Sequence, residues 1–246
     1  MVRLRAELAR HEREVRAREA EFGRYILQLR ESVRREKAHA AEVSRSYVAA
    51  VRALTNAVEA RDAYTGKHAE RVAAFGLEMA NVVNPVLAQD PETEFGFLLH
   101  DVGKVAVPDA ILHKPGALNR HEMGIMREHP ITGHEIVCHI NFLEGKAQDI
   151  VLYHHERWDG QGYPCGLRQR DIPLAARIFS VADTLDAITS DRPYRAGASI
   201  AYAREEIQRG SGTQFDPEAV EALMAVPDEA LERIRSEKVL TSAAAP

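Results

Sequence analysis

Between Asn56 and Val226 the apolar residues recur at helical spacing, and nowhere do they alternate with polar ones over a run rich in Val, Ile and Thr. A chain patterned in this way has no strand to build a sheet from. Helices are predicted over Lys67–Val83, Glu92–His100, Arg120–His129, Ile131–Phe142, Gln148–His155, Ala175–Thr189, Ile200–Arg209 and Pro217–Ala225. Pro85, Pro91, Pro108, Pro115, Pro164, Pro173 and Pro193 fall between these segments, where a residue lacking an N–H interrupts no helix. The expected fold class is all-α, with one compact domain over 56–226 and a stretch from 227 to 246 that holds one helix at most and a Ser/Ala-rich tail.

Residues 1–55 read differently. They contain no Pro and a single Gly, Gly23, and are dense in Arg, Glu and Ala. Leu4, Leu8, Val15, Phe22 and Leu29, then Val33, Ala40, Val43, Tyr47 and Leu54, follow steps of four and seven, with a phase slip between Leu29 and Val33. His11, Arg18 and Glu36 fall on or near this seam and weaken it. A single solvated helix is one reading. A long helix with nothing to bury against is marginal alone, which favours a parallel, dimeric coiled coil that passes a signal or joins domains.

Bulk composition excludes several roles. A chain of 246 residues can bury one full core and carry an appended element. A net charge of -5 lacks the basic excess of a nonspecific nucleic-acid binder, although bound metals and a few cations can reverse the sign locally for an anionic small substrate. Cys138 and Cys165 form no CxxC pair, and two free thiols fit a cytoplasmic protein. No signal peptide is visible, and no apolar run approaches the ~18–20 residues of a membrane span.

The chemistry concentrates in His154-His-Glu-Arg-Trp-Asp-Gly-Gln-Gly-Tyr-Pro164. Two adjacent histidines offer metal ligands, and Gly160, Gly162 and Pro164 shape a loop that returns the ring of Tyr163 toward them. With His68, His100-Asp101, His129 and Asp183 they form an oxygen/nitrogen donor set too rich for a structural site. His100 and Asp101 are adjacent, so both reach one ion only near a helix end, where Gly103 lets the chain turn. Asp183 and Asp186 lie three apart on an otherwise apolar face, where a carboxylate is costly unless paired or bound to metal. A cap or salt-bridge role is the competing reading, more so for Asp186 than for Asp183.

These residues, in this order, closely resemble the HD-GYP phosphodiesterases. The resemblance runs from Asp62 to Asp216. It takes in Asp62-Ala-Tyr-Thr65-Gly-Lys-His68, His100-Asp101-Val-Gly103-Lys104, Ile111-Leu-His-Lys114-Pro115-Gly116, His129-Pro130 with Gly133 and the 154–164 loop. Ile172-Pro173, Asp183 with Asp186, Ser190-Asp-Arg192-Pro193-Tyr-Arg195 and Gly212-Thr213 with Phe215-Asp216-Pro217 complete it. His100-Asp101 fits any HD-superfamily hydrolase, whereas the loop is specific to this branch.

The resemblance implies an HD-type helical bundle whose metal ligands are His68, His100, Asp101, His129, His154, His155 and Asp183, with Asp101 as the bridge. His11, His39, His113, His121, His134 and His139 fall at positions it leaves free. It implies two divalent ions, iron or manganese, since a mixed imidazole/carboxylate set suits these better than structural zinc. Some members carry a Glu at the place of Tyr64 that ligates a third ion; a phenol with pKa near 10 is a poor substitute, so a third metal is not expected. The implied substrate is cyclic di-GMP, opened to 5′-pGpG and onward to GMP by a hydroxide formed between the ions. Lys104 would contact the scissile phosphate and assist the leaving group, with Asp101 and Lys104 the catalytic pair. Arg192 and Arg195 would hold phosphate oxygens, and Lys114 and Tyr163 would line the substrate. Cyclic GMP-AMP is an alternative substrate. A nucleotide phosphohydrolase and a non-catalytic nucleotide-binding signalling module are alternative roles. Partners are a second copy through the N-terminal helix and a sensor or signalling protein.

Overall fold

A computed structural model describes residues 2–61, 67–191 and 196–236, with the side chains of 2–9, 12–15, 17 and 20 also outside the described set. Tyr64, Arg192, Arg195 and the side chains of Leu4, Leu8 and Val15 therefore lie outside the described residues. Among those described, every regular element is helical, and the nearest approach to a sheet is an isolated bridge between Ser211 and Phe215.

The elements follow as α1 (Val2–Glu59), α2 (His68–Val83), α3 (Pro85–Ala88), α4 (Pro91–Leu99), α5 (Asp109–Leu112) and α6 (Arg120–Met126). They continue as α7 (His129–Val137), α8 (Lys146–Tyr153), α9 (Leu174–Thr189), α10 (Ile200–Arg209), α11 (Pro217–Ala225) and α12 (Asp228–Ser236). Short 3-10 turns occupy Val102–Ala106, Asn141–Leu143 and Gln169–Asp171. The periodic segments of the sequence reappear within a few residues at α2, α4, α8 and α9, and to the residue at α10 and α11. One reading needs correction. The expected breaks at His129 and Ile131 misplace α6 and α7: α6 stops at Met126, and Pro130 sits in the first turn of α7. Proline is pre-organised for a helix start, where its missing N–H has no intrahelical acceptor to lose.

Chain contacts divide the protein into Met1–Ala49 and Ala50–Pro246. The first unit is the greater part of α1, and its seam residues Phe22, Leu29 and Val33 are solvent-exposed in the single chain. The second unit holds the core. There α2 packs on α9 and α4, α4 on α8, and α7 on both α8 and the 102–106 turn. Phe75, Met79, Phe97, Leu99, Ile150, Ile178, Phe179 and Leu185 are fully buried at these contacts. Burial of each such side chain contributes about 1.5–3 kcal/mol. The packing leaves α4 no slack, since a methyl group at Gly76 would fall 2.5 Å from the Phe97 ring and one at Gly96 would fall 2.6 Å from Ile150. No helix of the described residues is long and apolar enough to cross a membrane.

Candidate metal centre

The histidines collect at helix ends. His68 opens α2, His129 opens α7, His100 follows the last residue of α4, and His154 follows the last residue of α8. At such positions the packed helix fixes the backbone from which each ring projects, and the rings of His100 and His154 rest on Phe179. His100 Nδ1 faces the Phe97 carbonyl at 2.8 Å, His129 Nδ1 that of Met126 at 2.7 Å, and His154 Nδ1 that of Val151 at 2.9 Å. His68 makes the equivalent bond to Asp186 Oδ2 at 2.7 Å. Each contact calls for the proton on Nδ1, leaving the Nε2 lone pair to point into the cluster.

Two donor groups result, and they share one residue. Asp101, His129, His154 and His155 bring ligand atoms within 4.8 Å of one another, and so do His68, His100 and Asp101. Asp101 Oδ1 lies 3.3 Å from His129 Nε2, while Oδ2 lies 3.1 Å from His100 Nε2 and 2.8 Å from Lys104 Nζ. One carboxylate thus faces both groups. Asp183 stands beside the smaller one, its Oδ1 3.4 Å from His68 Nε2. Among the described residues no cysteine and no His134 belongs to either group.

The protonation states suit cation binding. Burial drives His154 far below the ordinary imidazole value and His155 down to about 3, with His129 next to His155 adding to the effect. Both rings are therefore neutral donors at pH 7. Burial opposes ionisation of Asp101, but Lys104, His100 and His129 together hold its carboxyl well below the usual range. Burial also pulls against His68, where the bond to Asp186 and the charge of Asp183 prevail and raise its pKa. The neutral rings of His154 and His155 beside the ionised Asp101, with no thiolate among the described residues of the cluster, fit oxygen- and nitrogen-loving divalent ions.

Gly103 lies in the 3-10 turn where the chain leaves α4, without a left-handed conformation, and what requires a glycine there is space: a β-carbon would sit 1.9 Å from the His129 carbonyl oxygen. Its bareness lets the turn carrying Asp101 and Lys104 lie directly against the start of α7, so two ligand-bearing backbones meet. Gly162 works in the same way, as its β-carbon would fall 2.4 Å from the Arg157 nitrogen and 2.6 Å from the His155 oxygen. The tight fold of the 154–164 loop lays the Tyr163 ring on His155, with centroids 4.6 Å apart and planes 26° from parallel. The loop is closed on itself by one carboxylate and anchored from outside by two backbone bonds. Glu156 Oε1 accepts the N–H groups of Cys165 and Gly166, while Trp158 and Asp159 donate to the carbonyls of Gln214 and Thr213.

Residues 52–219 match the HD-domain family. The chain belongs to it. HD relatives include a cyclic di-GMP phosphodiesterase of Thermotoga maritima, 40% identical over 181 residues that cover 73% of this chain and 49% of the relative. A 3′3′-cGAMP-specific phosphodiesterase 2 of Vibrio cholerae is 41% identical over 177 residues, covering 72% and 34%. The chain thus spans half or less of the length of these relatives. The crystal structure of a V. cholerae cyclic GMP-AMP phosphodiesterase shares the HD fold, with TM-score 0.52 at 19% identity, covering 76% of this chain and 52% of that one.

Within this HD site, the structure brings together all seven residues named from the sequence as ligands, with Asp183 at the edge. Lys104 reaches the shared carboxylate and Tyr163 the cluster rim. Lys114 pairs with Glu122 at 2.5 Å, a residue that also closes the α6 capping box with Asn119. Arg192, Arg195 and Tyr64 fall outside the described residues. The sequence offered a salt bridge for Asp186 but did not name its partners, His68 and Arg71. Asp186 is 1% exposed and accepts from Arg71 Nε at 2.6 Å and from Ser190 Oγ at 3.0 Å in addition to His68. The available signal was spacing: Arg71 is three residues after His68, and Asp186 three after Asp183.

Proposed function

We propose that this chain is a metal-dependent phosphodiesterase that opens cyclic di-GMP to 5′-pGpG. The carrying observation is Asp101, one carboxylate faced by two imidazole groups and by the Lys104 ammonium. A pair of divalent ions, manganese or iron, would be held by His68, His100, Asp183 and one oxygen of Asp101, and by His129, His154, His155 and the other oxygen. Bound there, such ions supply Lewis acidity to a phosphate ester and a nucleophile from water at neutral pH.

The chain's own groups prepare the rest. The four Nδ1 contacts fix the ring orientations in advance, so little reorganisation is needed when charge develops on phosphorus. Lys104 Nζ, 2.8 Å from Asp101 Oδ2, is positioned to touch a phosphate seated on the cluster and to give a proton to the departing 3′-oxygen. Tyr163, lying flat on His155, offers a hydroxyl to a phosphate or a ring to a guanine. The family resemblance assigns Arg192 and Arg195 to the phosphate oxygens and favours two ions over three. Cyclic GMP-AMP is the second reading, supported by the V. cholerae relative at 41% identity. Dimerisation through the 1–55 helix, a cytoplasmic location and a sensor partner belong to the same proposal.

The test is incubation of manganese-loaded, and anaerobically iron-loaded, protein with cyclic di-GMP and with 3′,3′-cGAMP, followed by chromatography of the products. Conversion of cyclic di-GMP to pGpG is expected. Faster turnover of cGAMP selects the second reading, and loss of neither substrate refutes both.

A further inference from the structure

We propose that Glu59, the last residue of α1, is a positioning residue for the metal centre: its carboxylate fixes the backbone from which His68 reaches its ion. The inference rests on reading the His/Asp cluster as a metal centre. His68 begins α2, and Lys67 before it adopts φ 90° and ψ 9° without offering a side-chain cap. The first N–H groups of a helix have no acceptor within it, and a non-glycine residue in the left-handed region persists only where its surroundings hold it. Here the acceptor comes from another helix. Glu59 Oε2 accepts the Lys67 N–H at 3.1 Å, and Oε1 accepts the Ala69 N–H at 2.8 Å. The two bonds straddle His68, one oxygen to each side. A carboxylate at this end also complements the positive pole of the α2 dipole.

Glu59 and His68 line the same cleft, and the end of α1 that carries Glu59 is itself held to the segments bearing the other site residues. Thr55 Oγ1 donates to the Leu98 carbonyl at 3.2 Å, two residues before His100. Arg52 pairs with Glu70 on α2 at 3.2 Å and with Glu94 on α4 at 3.3 Å. Arg61 donates to the carbonyls of Val105 at 2.6 Å and Val107 at 3.3 Å, just past Lys104. The constraints on His68 then divide in two. Asp186 sets the rotation of its ring, and Glu59 sets where its backbone starts. Without Glu59 the first turn of α2 frays, and Nε2 samples directions that no longer converge on the ion.

The test is calorimetric titration of the full chain, stripped of metal, with Mn²⁺, alongside Glu59→Ala, Glu59→Gln and Arg52→Ala. The unmodified chain is expected to take up two ions. Glu59→Ala should weaken one of them by about tenfold, the lower end of the effect of removing a group that orients a ligand, and spare the other. Glu59→Gln, which retains one oxygen, should fall between. Arg52→Ala, which loosens the helix end that carries Glu59, should lower the melting temperature and weaken the same ion by less than Glu59→Ala does. If Glu59→Ala does not fold, Glu59→Gln decides. Unchanged affinities in the Glu59 variants, or an equal loss at both ions, overturn the proposal. An unmodified chain that binds no Mn²⁺ refutes the metal reading beneath it, a separate and distinguishable failure.

Discussion

Replacing Asp186 tests whether the metal centre depends on a residue that touches no metal. Asp186 Oδ1 accepts from Arg71 Nε at 2.6 Å and Ser190 Oγ at 3.0 Å, and Oδ2 accepts from His68 Nδ1 at 2.7 Å and Arg71 Nη2 at 3.1 Å. Asp186→Ala removes all four bonds and leaves the Arg71 guanidinium, 18% exposed, facing a gap. Breaking a buried ion pair by deleting one partner costs about 3–5 kcal/mol. Residual water access to Arg71 places this case near ~3 kcal/mol, which a domain stable by about 5–15 kcal/mol survives. With a urea slope of about 1–3 kcal/mol per molar, the unfolding midpoint of metal-free protein should fall by ~1–3 M. The affinity of the ion held through His68 should fall about 10- to 100-fold. Burial works against the Asp186 charge, but the bonds from His68 and Arg71 lower its pKa in the fold. Its contribution is therefore complete above the unfolded carboxylate value of 3.8 and is lost as the pH falls below it, so the gap between variant and parent should narrow in acid. An Ala variant that unfolds at the parental midpoint and binds both ions unchanged would show that His68 and Arg71 need no such partner.

Three further outcomes are expected. Gly103→Ala drives a methyl group into the His129 carbonyl, where backbone faces backbone and no side chain can yield; a loss of at least ~3 kcal/mol in thermal or urea unfolding is expected, with reduced metal content. Asp101→Ala should lose both ions because both donor groups include it, whereas Lys104→Ala should keep two ions by elemental analysis and lose turnover by about 100-fold or more. Deletion of residues 1–45 should convert a dimer to a monomer in sedimentation, since Phe22 and Leu29 are exposed in the single chain; an unchanged dimer would place the interface elsewhere.

The sequence by itself determined the fold class and the cast of candidate ligands. Helical spacing is local, so α10 and α11 could be bounded to the residue, and a histidine or carboxylate announces its donor chemistry whatever surrounds it. The 154–164 loop was likewise legible, because Gly and Pro constrain the chain at their own positions. Only the tertiary structure decided what depends on two distant segments meeting. Gly103 signals a turn in the sequence, yet its function is set by the His129 carbonyl, 26 residues later, pressing against it. Asp186 read as a cap, a salt bridge or a metal ligand, and which of these it is was decided when α9 came to lie along α2 and met His68 and Arg71. Lys114 was named from the sequence as lining the substrate, and its pairing with Glu122 on α6 became visible only in the structure. Glu59 carried no signal at all, because a carboxylate becomes the cap of another helix only where packing sets it against that helix's unpaired N–H groups.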